Sequence, residues 1–244
     1  MVPKNWLRGE GSMSEAEFAI HPLRRCPLFA NVDEETLAVC AGSLRVRRYR
    51  KGETIFHQGD PGDSLYILES GSVKIVLPSP DTADDAIIAT LTRGDFFGEL
   101  ALLDGAPHSA TAVAMEPTEA HVLARERFDE LVDTNPLLRR ALFAGLAGEL
   151  RRLTGHVEEL RFLDLPERLA HRMARLAREA QPGRTVDIRL DWPFTQSDLA
   201  AMIGGTRQTV NRLLSGMTAQ GLVRIERDVL IIPDLARLQR AAER

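Results

Sequence analysis

The segment from Phe194 to Val223, FTQSDLAAMIGGTRQTVNRLLSGMTAQGLV, leaves few folds open to the chain. Two stretches of helical period flank Gly204-Gly205, and paired glycines supply the dihedrals of a sharp corner. Thr195 is placed to cap the first helix, with Asp198 three residues on, where a capping box needs an acceptor. Leu199, Ala200 and Ile203 form the apolar face of that helix. Thr206 is placed to cap the second, whose apolar positions are Val210, Leu213, Leu214 and Met217. Arg207, Gln208, Asn211 and Arg212 are left clustered at its N-terminal end, and with the cap residues Thr206 and Thr195 they are the candidate DNA contacts of this segment. A helix-turn-helix carries its base-reading residues there. An ordinary αα-hairpin with a solvated face is the competing reading.

The side chains suit base reading. Arginine donates two hydrogen bonds to guanine O6 and N7, and glutamine or asparagine pairs with adenine, each pair discriminating by about 1–3 kcal/mol. Downstream, Leu222, Val223 and Ile225 alternate with polar residues, Glu226-Arg227-Asp228 can turn, and Val229 to Ile232 is apolar. That is a hairpin wing, and it would bring Arg224 or Arg227 to phosphate. The net charge of −4 hides an uneven distribution. Residues 165–244 hold 13 Arg and no Lys against 9 Asp plus Glu, a surplus of +4 that leaves −8 on the rest. An acidic first part and a basic second part fit a sensor joined to a reader of double-stranded DNA.

A chain of 244 residues has room for two modest domains. It has no apolar run of membrane-spanning length and no signal-peptide pattern, so a cytoplasmic protein with no membrane partner is expected. Residues 1–18 are expected to be unstructured. Two cysteines, Cys26 and Cys40, make no disulfide framework, and they cannot alone supply the four ligands of an iron–sulfur cluster. The six histidines show no metal-ligand spacing, and no nucleophile–base pair, Walker loop or acid dyad supports an enzyme.

Pro27 to Leu44 reads as one or two short amphipathic helices. Short apolar runs then follow at Thr54–Phe56, Leu65–Leu68, Val73–Leu77, Ile87–Leu91 and Ala110–Ala114, split by Gly, Pro and Asp. Many short strands at this spacing predict an all-β barrel or jelly roll. Helical period returns at Asn135. From there Phe143, Leu146, Leu150, Leu153, Val157 and Leu160 fall at intervals of 3, 4, 3, 4 and 3, a heptad seam. A two-chain seam and a helix packed on its own barrel both fit it. Asp164, Pro166 and Glu167 form a helix start, which places a hinge there. The expected architecture is α+β. A β-roll over 19–134 leads to a dimerisation helix over 135–163 and a winged helix-turn-helix over 164–244.

Taken in order, KGETIFHQGDPGDSLYILESGSVKI, GDFFGELALLDGAP, the long helix, RFLDLPERLA and FTQSDLAAMIGGTRQTVNRLL resemble the CRP/FNR family of bacterial transcription regulators, over about residues 23–235. The resemblance implies a homodimer in which an N-terminal β-roll, shaped as a double-stranded β-helix, senses an effector and repositions the C-terminal readers. RNA polymerase is then a further partner if the chain activates. Gly98-Glu99-Leu100 looks like the family's phosphate-binding cassette, with Glu99 facing a ribose hydroxyl. Where cyclic-nucleotide-binding members carry an arginine followed by Ser or Thr, this chain has His108 and Ser109. Thr154 matches a position of a hydroxyl near the purine, and Glu149 is acidic where the cAMP receptor is basic. Neutral histidine lacks the fixed charge and forked donors of arginine. A weak or absent cAMP response is therefore expected, with retained binding as the alternative.

The reader departs from the family too. Relatives of the cAMP receptor often carry Arg-Glu-x-x-x-Arg on this helix, whereas Gln208 here suits adenine in place of cytosine. Cys26-Pro27 resembles the Cys-Pro signature of haem-responsive proteins, but a loop cysteine before a turn proline is the simpler reading. Either thiol would sense oxidants only if exposed and lowered in pKa. The functional alternative to a DNA-binding regulator is an interaction or ligand-binding module whose winged helix makes protein contacts.

Overall fold

The computed structural model describes residues 23–79, 85–227 and 229–241, so the expectation for 1–18 lies outside the described residues, as does Asp228 of the wing turn. A 3-10 turn at Pro27–Phe29 precedes helix α1 (Glu34–Ala41), whose N-cap Asp33 accepts from Thr36 N. Strands β1 (Arg45–Tyr49), β2 (Thr54–Phe56), β3 (Ser64–Ser70), β4 (Val73–Leu77), β5 (Ala86–Leu91) and β6 (Phe96–Phe97) follow. A short helix α2 (Glu99–Asp104) then leads to β7 (Thr111–Ala114) and β8 (Thr118–Ala124). The eight strands make two antiparallel sheets, ordered β1-β8-β3-β6 and β2-β7-β4-β5. This is the expected jelly roll.

Strand β3 explains how the roll is held. Leu65 and Ile67 project to one side, into a cluster with Phe29, Leu37, Phe128, Leu138 and Leu142. Leu68 projects to the other, among Val73, Phe97, Ala112 and Ala120 inside the roll. A strand covered on both faces reads as a continuous apolar run, which is why it stands out in the sequence. β1, β6 and β8 do not stand out. Arg45, Arg47 and Arg48 leave β1 almost wholly exposed at a sheet edge, where charge discourages further pairing.

Helix α3 (Arg125–Thr134) hands over at Asn135, whose side chain accepts from Leu137 N and Leu138 N to start α4 (Pro136–Phe162). Helix α5 (Leu165–Ala180) starts in the Asp164–Glu167 capping box, with Pro166 in its first turn. Then come β9 (Val186–Asp191), α6 (Gln196–Ile203), α7 (Arg207–Ala219), β10 (Arg224–Glu226), β11 (Val229–Asp234) and α8 (Leu235–Ala241). A three-stranded sheet, β10-β11-β9, flanks the helices. Leu169, Met173, Ile188, Leu199, Val210, Ile232 and Leu238 are buried together, each large aliphatic contributing about 1.5–3 kcal/mol. The result is a winged helix whose core also takes in Val76 of β4 and Ile87 of β5. Among the described residues, no helix is long and apolar enough to cross a membrane.

Candidate nucleic-acid interface and effector pocket

The corner between α6 and α7 is built from caps. Thr195 Oγ1 accepts from Asp198 N at 3.1 Å, and Asp198 Oδ2 accepts from Thr195 N at 2.9 Å. Gly204 closes α6 with φ of 71°, a left-handed conformation that a side chain would strain. Thr206 Oγ1 then accepts from Thr209 N at 3.2 Å to open α7. Val210, Leu214 and Met217 are buried and Leu213 is half-buried, which fixes the rotation of the helix. Arg207, Gln208, Asn211 and Arg212 are consequently exposed on one N-terminal face, beside exposed Thr206.

Two of the candidate contact side chains are already engaged within the fold. Asn211 Oδ1 accepts from Gln196 Nε2 at 3.3 Å, so its amide is held by the preceding helix. Thr195 is exposed, but its hydroxyl is spent on the cap, donating to Asp198 Oδ2 at 2.7 Å. On the wing, Arg224 is exposed on β10, and exposed Arg227 takes a φ of 55° at the turn.

No local sequence pattern marks out Arg168, yet it bridges three elements. Its guanidinium donates to Leu160 O at 2.8 Å, Leu163 O at 3.0 Å and Ile203 O at 3.0 Å. It thereby ties the end of α4, the hinge and the end of α6 into one joint. Beside it, Glu159 receives His171 Nδ1 at 2.9 Å, with Arg175 at 3.7 Å.

On α4, the seam side faces outward. Phe143 is 67%, Leu150 66% and Val157 64% exposed, Leu153 and Leu160 are exposed as well, and Leu146 is half-buried. Leu138 and Leu142, at the start of the same helix, are buried against the roll. The helix thus packs on its own barrel at one end and leaves an uncovered apolar stripe along the rest.

In the roll, Gly98 takes a φ of 89°, and a Cβ there would meet Ser64 O at 2.8 Å. Glu99 follows it at the start of α2. Burial pushes its carboxyl up to about 7, with Glu149 adding to the rise and Arg152 opposing it. Leu100 is exposed. His108 is buried and stacks flat on Phe56, ring centroids 3.6 Å apart and 5° from parallel. Burial lowers its pKa against the pull of Asp60 and Asp63. A Cβ on Gly62 would lie 2.2 Å from Ala101 Cβ and 3.2 Å from His108 Cε1, so the ring is packed against that glycine, beside α2. Ser109 is exposed, and its carbonyl accepts from Gln58 Nε2. Arg125, which the sequence did not single out, donates to Gly62 O, Ala101 O and Leu102 O and so fastens α2 to the roll. Thr154 is exposed on α4 with its hydroxyl bonded to Leu150 O.

Both thiols are buried. Desolvation pushes Cys26 up to about 12 and Cys40 up to about 11, the opposite of the lowered pKa an oxidant sensor needs.

Comparison with known proteins matches both halves. Residues 46–135 match the cyclic nucleotide-binding domain family, and residues 167–241 match the Crp-like helix-turn-helix domain. A CRP-like cAMP-activated global transcriptional regulator of Mycobacterium tuberculosis is 30% identical over 220 residues, covering 90% of this chain and 98% of that one. The cyclic AMP receptor protein of Thermus thermophilus is 32% identical over 220 residues, with the same coverage of 90% and 98%. Among solved structures, FixK2 from Bradyrhizobium japonicum superposes with a TM-score of 0.73 at 26% identity, covering 81% of this chain and 96% of that one. These likenesses favour a DNA-reading winged helix over one devoted to protein contacts.

Proposed function

Because the chain belongs to the CRP/FNR family of transcription regulators, we propose that it works as a homodimer, paired through α4, whose two α7 helices read the half-sites of a palindromic operator. The observation that carries this reading is the exposure of Arg207, Gln208, Asn211 and Arg212 on a helix whose opposite face is locked into a core. Arg207 and Arg212 would pair with guanine, and Gln208 with adenine. Arg224 and Arg227 on the wing would hold phosphate. The β-roll over 19–134 is the sensor, 135–163 the pairing helix and 164–244 the reader. Selection of binding sites from a random duplex library tests it. The expected product is a palindrome whose affinity falls steeply as salt rises, because phosphate contacts release counterions. Recovery of no preferred sequence at any salt would contradict it.

For the effector, we propose that Gly98, Glu99, Leu100, His108, Ser109 and Thr154 mark a pocket that has lost most of its fit to cAMP. An arginine would offer a phosphate a permanent charge and forked donors, whereas burial disfavours the charged form of His108 and its ring is stacked on Phe56. Arg125 is occupied by three carbonyls. Two similar regulators are named for cAMP, so calorimetry with cAMP is the direct check. No saturable heat is expected at micromolar ligand, with His108→Arg gaining it. Micromolar affinity in the parent would overturn this part of the proposal.

A further inference from the structure

Two cationic side chains cross between the roll and the reader. Lys74 on β4 donates through Nζ to Asp198 Oδ1 at 2.5 Å, with 26% and 11% of the two side chains exposed. Arg172 on α5, 5% exposed, reaches Thr90 Oγ1 on β5 at 3.4 Å. Between them Val76 and Ile87 are buried in the reader's core, 3% exposed each. Asp198 is the third residue of α6 and completes the capping box of Thr195, its other oxygen accepting from Thr195 N and Oγ1. One carboxylate therefore braces the cap of the reader's first helix and receives the roll's ammonium. Burial opposes its ionisation, but the bonds from Lys74 and Thr195 outweigh that and hold its carboxyl below the ordinary range.

The docked reader keeps Arg207, Gln208, Asn211 and Arg212 exposed, so docking does not block the reading face. A dimer must present two such faces about one helical turn apart. A reader joined only through the hinge at Leu163 would have to be ordered each time both half-sites are engaged, and that ordering weakens binding.

We propose that Lys74 is a positioning residue for DNA reading: its ion pair with Asp198 fixes each reader on the β4–β5 face, so that both recognition helices meet their half-sites already oriented. This rests on the homodimeric reading above. It concerns simultaneous engagement, so it affects a palindrome and not a single half-site.

The test is Lys74→Met, which leaves the reader's own residues untouched, with Lys74→Arg as the conservative control. Affinities are measured for the full palindrome and for an isolated half-site, and hydrogen exchange is followed over residues 86–91 and 196–203 without DNA. Lys74→Met is expected to weaken palindrome binding about tenfold, within the usual range of coupling between sites. Half-site binding stays at the parent's value, exchange rises over both segments, and Lys74→Arg restores parental behaviour. Palindrome affinity within about twofold of the parent, or an equal loss on the half-site, would overturn the proposal. If the parent bound no palindrome, the dimeric DNA-reading proposal would fail. Exchange would then decide the docking role alone, with unchanged protection refuting it.

Discussion

Glu99 shows how a single side chain ties the pocket to pH. Its carboxyl, pushed up to about 7 by burial, keeps a proton in the folded chain at pH values where the unfolded chain has released it. The folded state therefore binds more protons between the ordinary carboxylate range and about pH 7, and stability is lost as pH rises through that window. Glu99→Gln removes the loss. Its Tm is expected to exceed the parent's by about 5–10 °C at pH 8 and to come close to it at pH 4. A difference of the same size at both pH values would contradict this. The cysteines give a second check. With both thiols buried and raised, native protein should resist iodoacetamide at neutral pH, and unfolded protein should take up label at both Cys26 and Cys40. Rapid labelling of either thiol in the folded protein would be inconsistent with its burial.

Arg168 belongs to the scale of whole elements, because it joins three of them through one guanidinium. Removing it leaves the carbonyls of Leu160, Leu163 and Ile203 without that donor. Arg168→Met should cost about 1–3 kcal/mol, read as a fall in Tm of several degrees. An unchanged Tm would mean that water replaces the guanidinium without loss. The same scale shows what a sequence can disclose. The helix-turn-helix was legible because its signals are local: Thr195 to Asp198, Gly204-Gly205 and Thr206 to Thr209 all act within four residues. The heptad spacing in α4 was legible for the same reason. Strands β1 and β8 were hidden because Arg45, Arg47, Arg48, Glu119 and His121 interrupt the apolar pattern and make sense only once the strands pair. The stack of His108 on Phe56, the grip of Arg125 on α2 and the pairing of Lys74 with Asp198 join residues far apart in the chain, and no spacing rule reveals them.

At the scale of the whole molecule, the proposed dimer gives a partner to two exposed features of the described residues: the apolar stripe of α4 and the outward face of α7. A stripe holding Phe143, Leu150 and Val157 at about two-thirds exposure is more than a solvated helix face should carry. A charge placed in it should split the pair. Val157→Asp is expected to sediment as a monomer and to lose palindrome binding while keeping its folded circular dichroism. A dimeric Val157→Asp would move the pairing surface elsewhere. Base reading by the N-terminal tips of α7 is decided by Arg207→Ala titrated against the selected palindrome and a scrambled duplex at one salt concentration, with Arg224→Ala in parallel. Arg207→Ala is expected to lose about 1–3 kcal/mol per half-site on the palindrome and almost nothing on the scrambled duplex, whereas Arg224→Ala weakens both alike. Palindrome affinity unchanged in Arg207→Ala would contradict it.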